Sequence, residues 1–327
     1  MVKKSKPRAG SLAFYPRKRA KRIYPAIKTF PEIEKVQPLV FAGYKAGMAQ
    51  AVIIDNKKGS PTFGKEIVVP VTILDCPPLR VIGIRFYEKT RKGLRVLSEV
   101  WNKDLPKDLE RKVRPLGKFK PEEKLKEIES KLEKISNIRL IVSTQPRLSG
   151  LKKKKPELFE IEMGGKDIKE KFEYAKNLLG KEIKVSDVFR EGELVDVIAI
   201  TKGKGTAGPV KRFGVKIQRR KATGKLRHVG SLGAEGLCRV LRTVAQAGQL
   251  GFQRRTEFNK KVLKIGKDGK EITPKGGFIR YGVINSEYLI LEGSVPGPKK
   301  RLVMIRPAIR PKKARIIPTE VKEVILE

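Results

Sequence analysis

The sequence predicts a mainly β protein with an α+β insertion, an extended basic N-terminal arm and a long basic loop. Three observations predict it. Short runs rich in Val and Ile, cut by Gly and Pro, occupy both ends of the chain. A middle region concentrates the acids and shows helical spacing. Two further stretches are almost free of acid. At 327 residues the chain is long enough for about two domains with real cores.

Taken in order, Met1 to Lys28 carries ten basic residues (Lys3, Lys4, Lys6, Arg8, Arg17, Lys18, Arg19, Lys21, Arg22 and Lys28) and no acid. Pro7, Pro16 and Pro25 make it an extended arm, assigned to residues 1–40, rather than a helix. Its Phe14, Tyr15 and Tyr24 either stack on bases or pin the arm to the body. From Phe41 to Leu74 the pattern is strand-like: Gln50 to Asp55, a turn at Asn56-Lys57-Lys58-Gly59, then Glu66 to Leu74. The same signal returns at Val195 to Thr201, Gly277 to Ile284, Tyr288 to Leu291 and Arg301 to Ile305. These segments, 41–80 and 183–305, are read as one discontinuous closed or partly closed β-barrel.

Between them lies the insertion, residues 81–182. Glu88 to Glu182 holds 17 acids and 26 bases, about half of the 35 acids of the chain. One helix is predicted from Pro121 to Ile135, with Leu125, Ile128, Leu132 and Ile135 at spacings of three and four. A second runs from an N-cap at Asp167 through Ile168, Phe172, Ala175 and Leu179 to a stop at Gly180. Strands at Val81 to Tyr87, Arg139 to Ser143 and Leu158 to Met163 flank them, an α+β arrangement. Residues 306–327 are read as a C-terminal tail that meets other proteins.

Lys202 to Thr256 holds 14 Lys or Arg against the single acid Glu235, amid closely spaced glycines. Such a segment, placed within a loop at 202–260, is either a solvated flexible loop or a finger that folds against RNA. The charge of the whole chain, 75 bases against 35 acids for a net +40, favours the finger. So large an excess repels itself unless phosphate neutralises it. The bases of arm and loop assigned to RNA are Arg17, Lys18, Arg19, Lys21, Arg22, Lys202, Lys204, Lys211, Arg212, Arg219, Arg220, Lys221, Lys225, Arg227, His228, Arg239, Arg242, Arg254 and Arg255.

Other chemistries fit poorly. Gly203-Lys204-Gly205-Thr206-Ala207-Gly208 matches GxGxxG after a strand, but Pro209 and the basic run beyond it are not expected to open an amphipathic helix. Lys221 and Lys225 stand where a ribose-binding acid belongs. No cofactor is expected. His228 is the only histidine and has no carboxylate beside it in sequence to make it a general base. Cys76 and Cys238 lack metal or disulfide spacing and are both expected as small buried hydrophobes. Ile67 to Leu74, broken by Pro70, is too short to span a membrane. No secretory signal is read at the N-terminus, so a cytoplasmic protein is expected. An RNA-acting enzyme or translation factor would need a nucleotide pocket or a cluster of acids, His or metal ligands. A DNA-compacting protein would explain the charge alone.

The motifs Lys202-Gly203-Lys204-Gly205, Arg227-His228-Val229-Gly230-Ser231-Leu232-Gly233, Arg239-Val240, Ala247-Gly248-Gln249-Leu250-Gly251 and Arg254-Arg255-Thr256 together resemble the large ribosomal subunit protein three (L-three) family. Tyr15-Pro16-Arg17-Lys18-Arg19-Ala20, Phe41 to Met48, Gly276-Gly277-Phe278 and Gly293-Ser294-Val295-Pro296-Gly297 are similar to its archaeal and eukaryotic branch. The resemblance implies a translation-protein-type six-stranded β-barrel with an inserted α+β domain. It also implies binding to 23S-type large-subunit rRNA beside neighbouring ribosomal proteins, an early role in subunit assembly, and a loop approaching the peptidyl-transferase region. At the loop tip this chain departs from the family. Glu235 stands where eukaryotic members carry an aromatic residue, Thr223 where they carry a modified histidine, and Ala234 near the glutamine that bacterial members modify.

Overall fold

The computed structural model describes residues 10–56, 59–113, 120–222, 224–236, 238–311, 316 and 319–326. The turn residues Lys57 and Lys58, the first four arm bases and Thr223 lie outside them. The chain is mainly β and packs as two units: the arm to Ile23 together with Ile200–Arg255, and Tyr24–Ala199 together with the chain from Thr256 onward.

The larger unit is built on a sheet of β1 (Phe41–Ile54), β2 (Glu66–Asp75), β8 (Leu194–Ile200), β11 (Arg254–Gly266), β12 (Tyr288–Glu292), β13 (Leu302–Pro307) and β14 (Val321–Ile325). The order is β13-β8-β11-β12-β2-β1-β14, and β13 pairs with β1 as well as with β8. Phe41 faces Ile305 and Tyr44 faces Leu302 in the β1–β13 ladder. Pairing of β1 with β2 runs from Tyr44 opposite Asp75 to Ile54 opposite Glu66. β12 pairs with β2 only over Val71 to Asp75, just past Pro70, which has no N–H to give a ladder. Apolar residues of these strands carry the core, with Ile73, Leu74, Val197, Leu289, Ile290, Leu291, Val303 and Ile305 fully buried.

β8 is buried along its whole length, Asp196 included. Arg306 sits directly opposite on β13, its Nη2 3.2 Å from Asp196 Oδ2. The amides of Asn259 and Ile309 also donate to this carboxylate, each at 3.2 Å. Partnering of this kind is what makes a charge tolerable in an apolar interior. Asp75, fully buried at the end of β2, accepts from Tyr281 Oη (2.7 Å), the amide of Gly150 (3.4 Å) and the Ser286 hydroxyl. Burial outweighs these donors and raises its carboxyl above the ordinary range.

The insertion is a second sheet in the same unit, in the order β4-β3-β5-β6, with β7 (Glu182–Ile183) beside β3. Its strands are β3 (Leu79–Thr90), β4 (Gly93–Trp101), β5 (Asn137–Ser143) and β6 (Leu158–Glu162). Helix α1 (Pro121–Glu129) buries Leu125 and Ile128, and α2 (Ile168–Leu178) buries Phe172 and Ala175. Phe172 meets Phe86 of β3 at 5.9 Å between ring centroids. Several acids of this region are partnered by bases on other strands of the same sheet. Arg85 Nη2 lies 2.7 Å from Glu99 and Arg139 Nη2 3.0 Å from Glu162, while Glu160 takes Arg85 and Tyr87.

Several expectations are corrected. The helix predicted to Ile135 stops at Glu129 and resumes as a 3-10 turn at Leu132–Lys134, so its 3.6-residue spacing continues past the backbone that should carry it. Gly277 to Ile284 is not a strand. Gly277, Arg280 and Gly282 have φ of +71°, +67° and +107°, which fold the segment back on itself so that Phe278 and Tyr281 plug the core. The last residues of the chain add β14 to the edge of β1, with Ala51 opposite Val324. Arg306, the first residue of the expected tail, belongs to β13. Cys76 is buried but Cys238 is exposed, because the segment around it has no element to cover it.

Candidate nucleic-acid interface

The smaller unit begins where the chain leaves β8. Strands β9 (Gly203–Ala207) and β10 (Gly248–Gly251) pair with Ala207 opposite Gly248 and Gly203 opposite Gly251. The close of this hairpin needs glycine: Gly251 has φ +72°, and a Cβ there would lie 2.0 Å from the carbonyl oxygen of Lys202. Phe252 follows with φ +52°, unusual for a bulky residue. Its N–H donates to Lys202 at 3.1 Å, and its carbonyl accepts from Ala20 of the arm at 2.9 Å. The GxGxxG run therefore lies largely on an extended strand and makes no phosphate-cradling turn. One expectation about it is corrected, for a helix does open at Pro209. That helix, α3 (Pro209–Phe213), spans five residues and ends on Gly214 at φ +65°.

Three of the bases assigned to RNA turn inward. Arg17 sets its guanidinium 4.5 Å from the ring centroid of Phe213 and 5.5 Å from that of Tyr15. Arg212 donates Nε to Gln249 O at 3.0 Å and Nη1 to Gln246 O at 2.9 Å. Arg255 lies 4.4 Å from the Phe14 centroid and donates to Gln253 Oε1 at 3.1 Å. Burial, then the neighbouring Arg17 charge, lowers the pKa of both Arg212 and Arg255. Guanidinium is basic enough to keep its proton regardless. The arm aromatics are thereby placed: Phe14 and Tyr15 on cations of the smaller unit, Tyr24 buried in the larger one beside Phe159.

The other assigned bases face outward. Lys18, Arg19, Lys21 and Arg22 of the arm are exposed, with Arg19 5.1 Å from the Phe252 centroid. At the finger root Lys202, Lys204, Lys211 and Arg254 are exposed. Farther out so are Arg219, Arg220, Lys221, Lys225, Arg227, His228, Arg239 and Arg242, as is Glu235. From 214 to 247 the described residues form neither helix nor strand. Backbone bonds there include Gln218 N–H to Leu226 O and Ala222 N–H to Arg219 O, both 2.9 Å. Ile217, Leu226, Leu232, Val240 and Leu241 remain exposed among the bases. Phe213 and Phe252, which carry the inward and outward arginines, are absent from the sequence reading. An aromatic directly after a basic residue at a glycine-bounded turn is the signal that points to Phe213.

The arrangement is suited to phosphate and base faces. Among the described residues no group of three or more His, Cys, Asp and Glu can hold a metal, and no helix is long and apolar enough to cross a membrane.

Comparison with known proteins places the chain in a family. The family described as ribosomal protein L3 matches residues 1–327. The large ribosomal subunit protein uL3 of Methanopyrus kandleri is 52% identical over 313 residues, 94% of this chain and 86% of that protein. Its counterpart in Archaeoglobus fulgidus is 51% identical over 318 residues, 96% of this chain and 95% of the other. That of Methanothermobacter thermautotrophicus is 50% identical over 316 residues, covering 95% and 94%. With the whole chain matched and half its residues shared with such relatives, this protein belongs to the ribosomal protein L3 family.

Proposed function

We propose that this chain is a structural constituent of the large ribosomal subunit that binds 23S-type rRNA through its arm and finger. In that role it supports early subunit assembly and the region around the peptidyl-transferase centre. Its family is a non-enzymatic component of the ribosome, and its place is the cytoplasm. One observation carries the RNA reading: the smaller unit displays sixteen of the nineteen assigned bases at its surface, and the described residues of its long segment 214–247 form neither helix nor strand. Such a segment lacks the burial to offset its ordering entropy, and phosphate contact supplies the missing free energy.

On the same reading the fold is a translation-protein-type six-stranded barrel, supported by the cyclic pairing of β1, β2, β12, β11, β8 and β13. The insertion at 81–182, the arm at 1–40 and the finger at 202–260 are its attachments. Partners are large-subunit rRNA and neighbouring ribosomal proteins, with no cofactor or small-molecule substrate. The test is a filter-binding titration of the purified chain against an archaeal large-subunit rRNA transcript. For about ten phosphate contacts the slope of log affinity against log salt is roughly −7 to −9, and a slope near zero contradicts the reading.

A further inference from the structure

We infer that Tyr15, Arg17, Arg212 and Phe213 form a clamp that fixes the arm to the root of the finger, so that RNA meets the two as one preorganised surface. The inference rests on the RNA reading above and adds positioning residues to it. Arg17 and Arg212 are 195 positions apart, yet each guanidinium donates to the other's main-chain carbonyl at 3.4 Å. Phe213 and Tyr15 stack at 6.2 Å with 20° between their planes, and both arginines lie within cation–π range of Phe213, at 4.5 and 5.1 Å. The fit is close on both sides. A Cβ at Gly10 would come within 2.7 Å of Arg17 Nη2 and 2.8 Å of Phe213 Cδ1, and one at Gly248 within 2.9 Å of Arg212 Nη1.

The choice of partners matters. Carbonyl oxygens and ring faces hold these two cations, and neither has a carboxylate among the contacts described, so the clamp orders the chain without cancelling positive charge. In the insertion, by contrast, Arg85 and Arg139 are held by Glu99, Glu160 and Glu162. A joint made from ion pairs would weaken the field that attracts phosphate, and this one preserves it. Its planar fork geometry is specific to arginine, and lysine cannot reproduce it. Holding Lys18, Arg19, Lys21 and Arg22 in fixed relation to Lys202, Lys204 and Lys211 removes an ordering cost from RNA binding.

The experiment is the salt titration of the full-length chain on archaeal large-subunit rRNA, with hydroxyl-radical footprinting of the bound RNA. Phe213→Ala removes no charge, yet releases the four exposed arm bases. The slope then becomes shallower by about 3 to 4, with affinity at moderate salt down about tenfold or more and the arm's footprint lost. Arg17→Lys keeps the charge and shows the same change, while Phe213→Tyr keeps the ring and the wild-type slope. A folded Phe213→Ala chain with an unchanged slope and footprint overturns the clamp. Should that chain unfold, Arg17→Lys decides: an unchanged slope overturns the clamp and a shallower one supports it. A flat slope for the unsubstituted chain overturns the RNA reading, and the clamp with it.

Discussion

A buried arginine in the larger unit and a half-buried one in the smaller are held by different chemistry. Arg306 faces the carboxylate of Asp196 across a sheet, and the amides of Asn259 and Ile309 complete the site. Arg212 rests on carbonyls and a phenyl ring beside another arginine. The first arrangement is electrically closed and stands without a ligand. The second leaves its charge in the field of the surrounding surface, where a polyanion can use it. The same contrast separates the two units as wholes. One buries Val, Ile and Leu along paired strands, while the other exposes Ile217, Leu226 and Leu232 among lysines and arginines.

The sharpest way to break this comparison is to remove one partner of the closed pair. Asp196→Ala leaves the buried Arg306 charge without its carboxylate, and a loss of about 3–5 kcal/mol is expected in urea unfolding of the free protein. Ile73→Ala opens a cavity in the fully buried core and costs about 2–5 kcal/mol, whereas Leu232→Ala in the finger stays within roughly 0.5 kcal/mol. Equal losses at Ile73 and Leu232 would erase the distinction between the units.

Deleting Arg219 to Gly236 removes about four net positive charges and, among the described residues, no helix or strand. The free variant is expected to melt within a few degrees of the parent, since loop length affects closure entropy only slowly. Its rRNA affinity falls and it fails to enter large subunits on a sucrose gradient. Unfolding of the free variant would show that the finger belongs to the core.

The smallest effect is one of pH. Burial raises the carboxyl pKa of Asp75 in the folded state, so the native protein holds this proton more tightly than the unfolded chain does. The contribution to stability is fully present below the unfolded value of about 3.9 and is lost as pH rises through the raised folded one. Asp75→Asn should therefore flatten the pH dependence of urea unfolding above pH 4. An unchanged profile would place the dependence elsewhere.

What the sequence discloses follows the same division. β1, β2, β8, β12 and β13 are legible because their Val- and Ile-rich runs are buried and interrupted by Gly or Pro. β11 is not: Arg254–Gly266 is apolar only at Phe258, Val262, Leu263 and Ile265 before its closing glycine, and its basic start merges with the finger before it. Gly277 to Ile284 carries the residues of a strand, but three positive φ angles make it a plug, a tertiary outcome that local propensity cannot reveal. The exposed bases of the interface are legible from charge alone. The inward turn of Arg17, Arg212 and Arg255 is not, because it depends on a contact spanning almost 200 positions and on rings, Phe213 above all, that composition does not distinguish from core.

Hydrogen exchange on the full-length chain, free and bound to archaeal large-subunit rRNA, tests the contrast between the units most directly. Amides of β1, β2, β12 and β13 should be protected in both states. Those from 214 to 247 should exchange freely in the unbound protein and become protected on RNA. Slow exchange across 214–247 without RNA, or no gain of protection with it, would contradict the claim that the finger takes its order from RNA.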